Sequence, residues 1–252
     1  MTGSGDNPLV TEARYRPVLA VRGWSTTLNA IWRDAYGDDY PEDVEPLGFS
    51  TLSELELMRR WLGVGPGESI VDLGCGRGGL GLWLARATGA SLVGIDIVPE
   101  ATEEAARKAQ AFGPAVSARF QVGDFRHTGL PGSVFAGAVS VDSVWMVLDK
   151  VAAIREVQRL LVPGGRWVFS TWEPAYLSYT RLLEASGWEV LTCHEPALWY
   201  ERQQSVYQEI IRARDQLTAE LGQEAAQVLV AEAQEIAPVL REYRRLLIAA
   251  RC

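Results

Sequence analysis

Histidine is scarce in this chain of 252 residues, with His127 and His194 the only two. That leaves few neutral-pH bases to choose from, and no cluster of histidines and carboxylates at ligand spacing, so no metal is expected. Cysteine is limited to Cys75, Cys193 and Cys252, an odd count with no C-x-x-C spacing. A disulfide framework and a zinc knuckle are both disfavoured, and a reducing compartment is expected. Basic residues are outnumbered, 24 Lys and Arg against 32 Asp and Glu, giving a net charge of -8 and a pI near 5.0. A protein that neutralises a run of phosphates needs clustered cations, so a nucleic-acid partner is disfavoured. Long hydrophobic runs are also lacking: the longest weakly charged one, 134–148, is interrupted by Asp142 and is too short to span a bilayer. The opening "MTGSGDNPLV" has neither a basic nor an apolar leader region, so a cytoplasmic protein without a membrane partner is expected.

What is present is ordinary globular composition, 48% hydrophobic and 22% charged, enough for one large domain or two small ones. From residue 69 onward, short β-rich runs alternate with helical stretches, which predicts an α/β fold with helices on both faces of a mostly parallel sheet. Strands are expected at 69–75, 91–96, 118–124, 134–142, 165–171, 188–193 and 244–251. Pro99 stands where a first helical residue belongs and Gly113 where the chain leaves that helix. "KVAAIREVQRLL" is expected to stop at Pro163-Gly164-Gly165. Ahead of the sheet, Thr51 and Glu54 have capping-box spacing, and the helix they open is expected to end at Gly63.

Two segments stand outside this alternation. Residues 1–50 are too aromatic for a disordered tail and predict a helical flap, leaving 51–252 as the main domain. Within that domain, 199–238 reads as a helical insertion between the last two strands. It is expected as two helices broken at Gly222, with Val206, Ile210, Ala213, Leu217 and Leu221 on one stripe. An insertion of this size suits a lid or an oligomer contact, so a homo-oligomer is one expectation.

The stretch "VDLGCGRGGLG" carries Gly74, Gly76 and Gly79 in G-x-G-x-x-G spacing between a strand and a helix, where a backbone without Cβ atoms can approach a ligand closely. Alone, that pattern also fits a nicotinamide dinucleotide. Asp72, two residues before Gly74, argues against it, because a carboxylate there repels a diphosphate and suits a ligand bearing a cationic centre. Asp96 closes the second strand, where an acid accepts ribose hydroxyls, and Asp124 in "GDF" closes the third. Three acids at successive strand ends, in phase with the glycines, predict a nucleoside site.

On these residues the sequence resembles the class I S-adenosylmethionine-dependent methyltransferases over about residues 50–251. The motifs are "VDLGCGRGG", "VGIDIV", "VGDF" and "LLVPGG" leading into "RWVFSTW". More closely, it is similar to the small-molecule branch of bacterial secondary metabolism and quinone-type methylation. The resemblance implies a Rossmann-like seven-stranded sheet of order 3-2-1-4-5-7-6 with the last strand antiparallel. It implies S-adenosyl-L-methionine as cofactor, with Asp72, Gly74 and Gly76 around its methionine part and Cys75, Gly123 and Val141 also at the cofactor. Asp96 would hold the ribose, Ile97 would pack on the adenine, and Asp124 with Phe125 would read the adenine edge. Many members of that branch carry a histidine shortly after the fourth strand; here the segment is "VDSVWMVLDK", which supplies none.

For the acceptor, the candidate bases are His127, Asp142, Glu173 and His194, each at or just after a strand end. Trp32, Trp145, Trp172, Tyr176, Trp199 and Tyr200 are the candidate walls, favouring a small apolar or aromatic acceptor over a sugar. The expected reaction is in-line transfer of a methyl group to O, N or C of that acceptor. Three alternatives remain: a fold repurposed for cyclisation, decarboxylation or rearrangement, a nicotinamide oxidoreductase, and a non-catalytic partner subunit.

Overall fold

The computed structural model describes residues 12–45, 47–113 and 116–252. Seven strands form one sheet: β1 (Ser69–Leu73), β2 (Ser91–Asp96), β3 (Ala118–Val122), β4 (Phe135–Ser140), β5 (Leu161–Pro174), β6 (Glu189–His194) and β7 (Tyr243–Arg251). Their order is β3-β2-β1-β4-β5-β7-β6. β1 to β5 pair in parallel, while β7 runs antiparallel between β5 and β6. Strand β1 is central, with Ile70, Val71, Asp72 and Leu73 all buried, as expected of a strand covered on both faces. One apolar cluster packs Trp167, Phe169 and Ile248 with helices α6 (Lys150–Leu160) and α7 (Tyr179–Ala185). The opposite face packs Ile70, Val139 and Leu247 with α3 (Leu52–Leu62) and α4 (Gly79–Thr88).

Local signals set several ends as expected. Thr51 and Glu54 form the capping box of α3, and Gly63 closes it in the left-handed conformation. Pro99 opens α5 (Pro99–Ala111). Two boundaries differ. Helix α6 stops at Leu160, before the Pro-Gly-Gly turn, because Leu161 is drawn into the core and pairs with Phe135. The ladder then shifts register and resumes at Gly137 opposite Arg166, so Pro163-Gly164-Gly165 is an irregularity inside β5. The insertion holds three helices, α8 (Trp199–Arg212), α9 (Arg214–Leu221) and α10 (Gln223–Ile236), because Ala213 ends α8 and starts α9 as well as Gly222 breaking the chain.

A third apolar cluster lies above the carboxyl edge of the sheet. It joins Val18 of α1 (Glu12–Leu19) and Leu28, Ile31 and Trp32 of α2 (Thr26–Tyr36) to Val206, Ile210, Leu217 and Ala233 of α8–α10. The N-terminal helices and the insertion, separated by more than 150 residues in sequence, therefore share one core. Beneath this cap the fully buried Arg245 of β7 binds Glu54 at 2.8 and 2.9 Å, and Asp142 at 3.4 Å. No helix among the described residues is long and apolar enough to cross a membrane.

Candidate active site

The turn after β1 is anchored on β2: the Gly74 and Cys75 amides both donate to the Ile95 carbonyl, at 2.8 and 2.9 Å. Gly74, Gly76 and Gly78 have φ of +73°, +50° and +80°, so the third left-handed residue of the turn is Gly78 rather than the expected Gly79, which instead opens α4. At Gly74 space is short as well, since a Cβ would stand 2.5 Å from Ser143 Cβ. The Gly76 amide donates to Asp96 Oδ2 at 2.8 Å and the Val98 amide to Oδ1 at 3.0 Å.

Three chambers open along this edge. The first, about 260 Å³, is bounded by Gly74, Asp96, Ile97, Gly123, Asp124 and Phe125. Ile97 is 43% exposed although apolar. Asp124 is ion-paired with Arg126, whose hydrogen bonds hold its carboxyl below the ordinary value. The second chamber, about 170 Å³, lies under the cap and includes Cys75, Gly76, Val141, Trp32, Trp145 and Trp172 in its wall. Gly74, Asp96, Ser143, Met146, Tyr15 and Leu19 border both chambers, so the two meet at the glycine turn. The third, about 120 Å³, leads outward past Trp145, Trp172 and Tyr207 to Tyr176, which is 91% exposed at its lip.

Nine of the ten residues expected at the cofactor thus border the first two chambers. Asp72 does not; it is buried beneath the turn, where burial and then the charge of Asp96 push its carboxyl up to about 7. Burial also raises the Cys75 thiol, so it is no thiolate nucleophile.

The four expected bases fare differently. Asp142 borders the second chamber, but its carboxylate accepts from the Phe49 amide at 2.6 Å, the Ser170 hydroxyl at 2.5 Å and Arg245. It is a structural acid. Glu173 accepts from the Tyr179 amide at 2.7 Å and so anchors the start of α7, behind the wall of the third chamber rather than on it. His127 is exposed beside Asp124, outside the chamber walls. His194 ends β6 at the far edge of the sheet, its ring against Trp61. Among the expected aromatics, Trp199 and Tyr200 lie outside the chamber walls: Trp199 donates to Glu195 and packs on the cap cluster, and Tyr200 lies under the Arg241 guanidinium.

Several wall residues escape a sequence reading. Arg77 is 3% exposed, and its guanidinium donates to the carbonyls of Leu19, Val21 and Gly23 and to Glu45, tying the N-terminal segment to the glycine turn. Glu232 borders the second and third chambers. Its sequence signal is an acid on the apolar stripe of α10, three residues after Leu229 and four before Ile236.

The fold and this edge define a Rossmann-like nucleoside-binding domain with the strand order of methyltransferases. Residues 70–165 match a family model described as a methyltransferase domain. The span that holds the glycine turn, Asp96 and Asp124 is thus similar to methyltransferase domains. The chain is 29% identical over 126 residues to "Methyltransferase GfsG" of Streptomyces halstedii, covering 50% of this chain and 45% of that protein. It is 31% identical over 140 residues to the 2-methyl-6-phytyl-1,4-hydroquinone methyltransferase of Synechocystis sp., covering 54% and 42%. The chain spans less than half the length of these two relatives. Among solved structures, that of the [4+2]-cyclase SpnF superposes with a TM-score of 0.68 over 78% of this chain and 79% of that one, at 20% identity, a likeness of fold.

The residues present fit the cofactor of this class. The turn admits close backbone approach, Asp96 offers a carboxylate at the end of β2, and Ile97 and Phe125 supply apolar surface beside it. Among the described residues, no group of three His, Cys, Asp or Glu is placed to hold a metal ion.

Proposed function

We propose that this chain transfers a methyl group from S-adenosylmethionine to a small apolar or aromatic acceptor, in secondary metabolism or quinone-type methylation. The observation that carries the reading is the junction at Gly74, Ser143 and Met146, where the nucleoside-sized chamber meets the aromatic-walled one. A ligand in the first can there face a ligand in the second. In this reading Asp96 accepts the ribose hydroxyls, Ile97 and Phe125 pack on the adenine, and Asp124 reads its amino edge.

S-adenosylmethionine supplies, when bound, a methyl group already activated by its sulfonium centre. The chain has to align the acceptor with that centre and keep water out; such alignment contributes about 7–11 kcal/mol to rate. Trp32, Trp145 and Trp172 shape the acceptor chamber, and the apolar cap roofs it. No nucleic acid or membrane is needed, and the setting is the cytoplasm.

Calorimetric titration with S-adenosylhomocysteine tests the cofactor reading, and absence of binding at millimolar concentration defeats it. Mass spectrometry of products separates methyl transfer from a repurposed cyclisation or rearrangement, because only the former adds a methyl group.

A further inference from the structure

Each acid on the wall of the second chamber except one is engaged by backbone amides or by cations. Asp96 holds two amides, Asp142 is bound by Arg245, and Glu45 is paired with Arg77 and Lys108. Glu232 is the exception. The Tyr207 hydroxyl donates to its Oε1 at 3.0 Å, and the Tyr15 hydroxyl of α1 lies close enough to influence its charge. Tyr207 is itself oriented by Gln203 Nε2 at 3.0 Å, and Gln203 Oε1 accepts from Trp172 Nε1 at 3.1 Å. A relay of neutral groups therefore fixes the carboxylate where the second and third chambers join.

We propose that Glu232 takes the proton from the methyl-accepting atom, and that the acceptor is a phenol or enol, a flat apolar body bearing an ionisable hydroxyl. This rests on the methyl-transfer reading above. In the step, the hydroxyl proton passes to a Glu232 oxygen while the acceptor oxygen bonds the methyl carbon. The carbon–sulfur bond breaks, its electron pair returning to sulfur, and S-adenosylhomocysteine leaves.

The surroundings favour this class over an amine. The rings of Trp145 and Trp172 meet edge to face at 5.7 Å, as do Phe49 and Tyr207 at 5.4 Å, which shapes flat walls. The Arg245 guanidinium already lies over the Trp172 ring at 5.8 Å, so a second cation finds that ring occupied. An ammonium held against a carboxylate also keeps its proton and lacks the lone pair that attack requires. Burial raises the Glu232 carboxyl, against the opposing effects of both tyrosines and Arg14, while Glu235 adds to the rise. That brings it nearer to the range where a base works at neutral pH. The charge facing it across the third chamber is Lys150, whose Nζ donates to the carbonyls of Trp145 and Val147.

The test uses full-length protein saturated with S-adenosylhomocysteine, titrated calorimetrically with 4-butylphenol, 4-butylanisole and phenyltrimethylammonium between pH 5 and pH 8. The expected result is that the phenol binds about tenfold more tightly than the anisole at pH 8, and that this advantage fades as Glu232 is protonated. Glu232→Gln should bind S-adenosylhomocysteine as the parent does, yet hold the phenol more weakly and without that pH dependence. Asp72, which also titrates near neutrality, is common to both proteins, so the difference isolates Glu232. Tyr207→Phe should move the pH midpoint upward, an effect that a merely structural residue would not produce. Equal phenol affinity in parent and Glu232→Gln, tightest binding by the cation, or no binding of the phenol overturns the proposal. If S-adenosylhomocysteine itself fails to bind, the methyl-transfer reading falls with it; if it binds and the phenol does not, this inference falls alone.

Discussion

The Gly76 amide donates to Asp96 Oδ2 at 2.8 Å, so the acid at the end of β2 holds the glycine turn in place while standing on the wall of the first chamber. Replacing it removes a carboxylate and loosens the turn together. Asp96→Ala is expected to weaken S-adenosylhomocysteine binding by about 1.5–3 kcal/mol, roughly 10- to 150-fold. Calorimetry decides this, and unchanged affinity removes Asp96 from the site.

Arg77 gives a second expectation. Its guanidinium satisfies three carbonyls of residues 19–23, and each, left dry and unpaired, costs about 1–3 kcal/mol. In Arg77→Ala that segment should lift to reach water while the sheet stays folded. Limited proteolysis should then cut the N-terminal segment faster, and S-adenosylhomocysteine should dissociate faster in stopped flow. A proteolysis pattern identical to the parent's contradicts the clamp.

The glycines of the turn are not equivalent. At Gly76 the nearest atom to an added Cβ is Leu19 Cδ2 at 3.7 Å, so Gly76→Ala incurs only the left-handed strain, about 1–2 kcal/mol. At Gly74 the same strain adds to a 2.5 Å clash with Ser143. Thermal melts should therefore show a modest loss for Gly76→Ala and a clearly larger one for Gly74→Ala. The reverse order would show the turn to be built differently.

Asp72 predicts a pH dependence of stability. Its carboxyl rises from the ordinary 3.8 to about 7 on folding, chiefly through burial. Between about pH 4 and pH 7 the folded chain holds a proton that the unfolded chain has released, so stability falls as pH rises through that window. The loss is on the order of a few kcal/mol. Urea unfolding of Asp72→Asn should show a flatter profile over that window than the parent does, and an equally steep one would place the titration elsewhere.

The strands and the cofactor edge were legible because their signals are local. Alternation of β-rich and helical runs marked all seven strands, and the phase of Asp96 and Asp124 with the glycines survived folding because Asp96 is the last residue of β2 and Asp124 lies two residues past β3. Local signals erred where a distant partner decided. The Pro-Gly-Gly turn looked like the end of a helix until pairing of Leu161 with Phe135 drew the chain into the sheet earlier. Asp142 looked like a base until Arg245, 103 positions away, engaged it. His194, as near a strand end as Asp96, went to the far edge of the sheet because β6 is the outermost strand.

By itself, then, the sequence determined the strand-and-helix alternation, the glycine turn after β1 and the acids at the ends of β2 and β3, since capping, periodicity and left-handed glycines act over a few residues. Tertiary structure alone decided that α1 and α10 meet, that Tyr15 and Tyr207 converge on Glu232, and that this carboxylate faces the chamber while Glu173 and Asp142 are consumed as structural partners. The meeting of α1 with α10 and the capture of Asp142 by Arg245 depend on how segments more than a hundred residues apart pack their apolar faces, and burial then sets the charge and hydrogen bonding of each acid that the packing encloses.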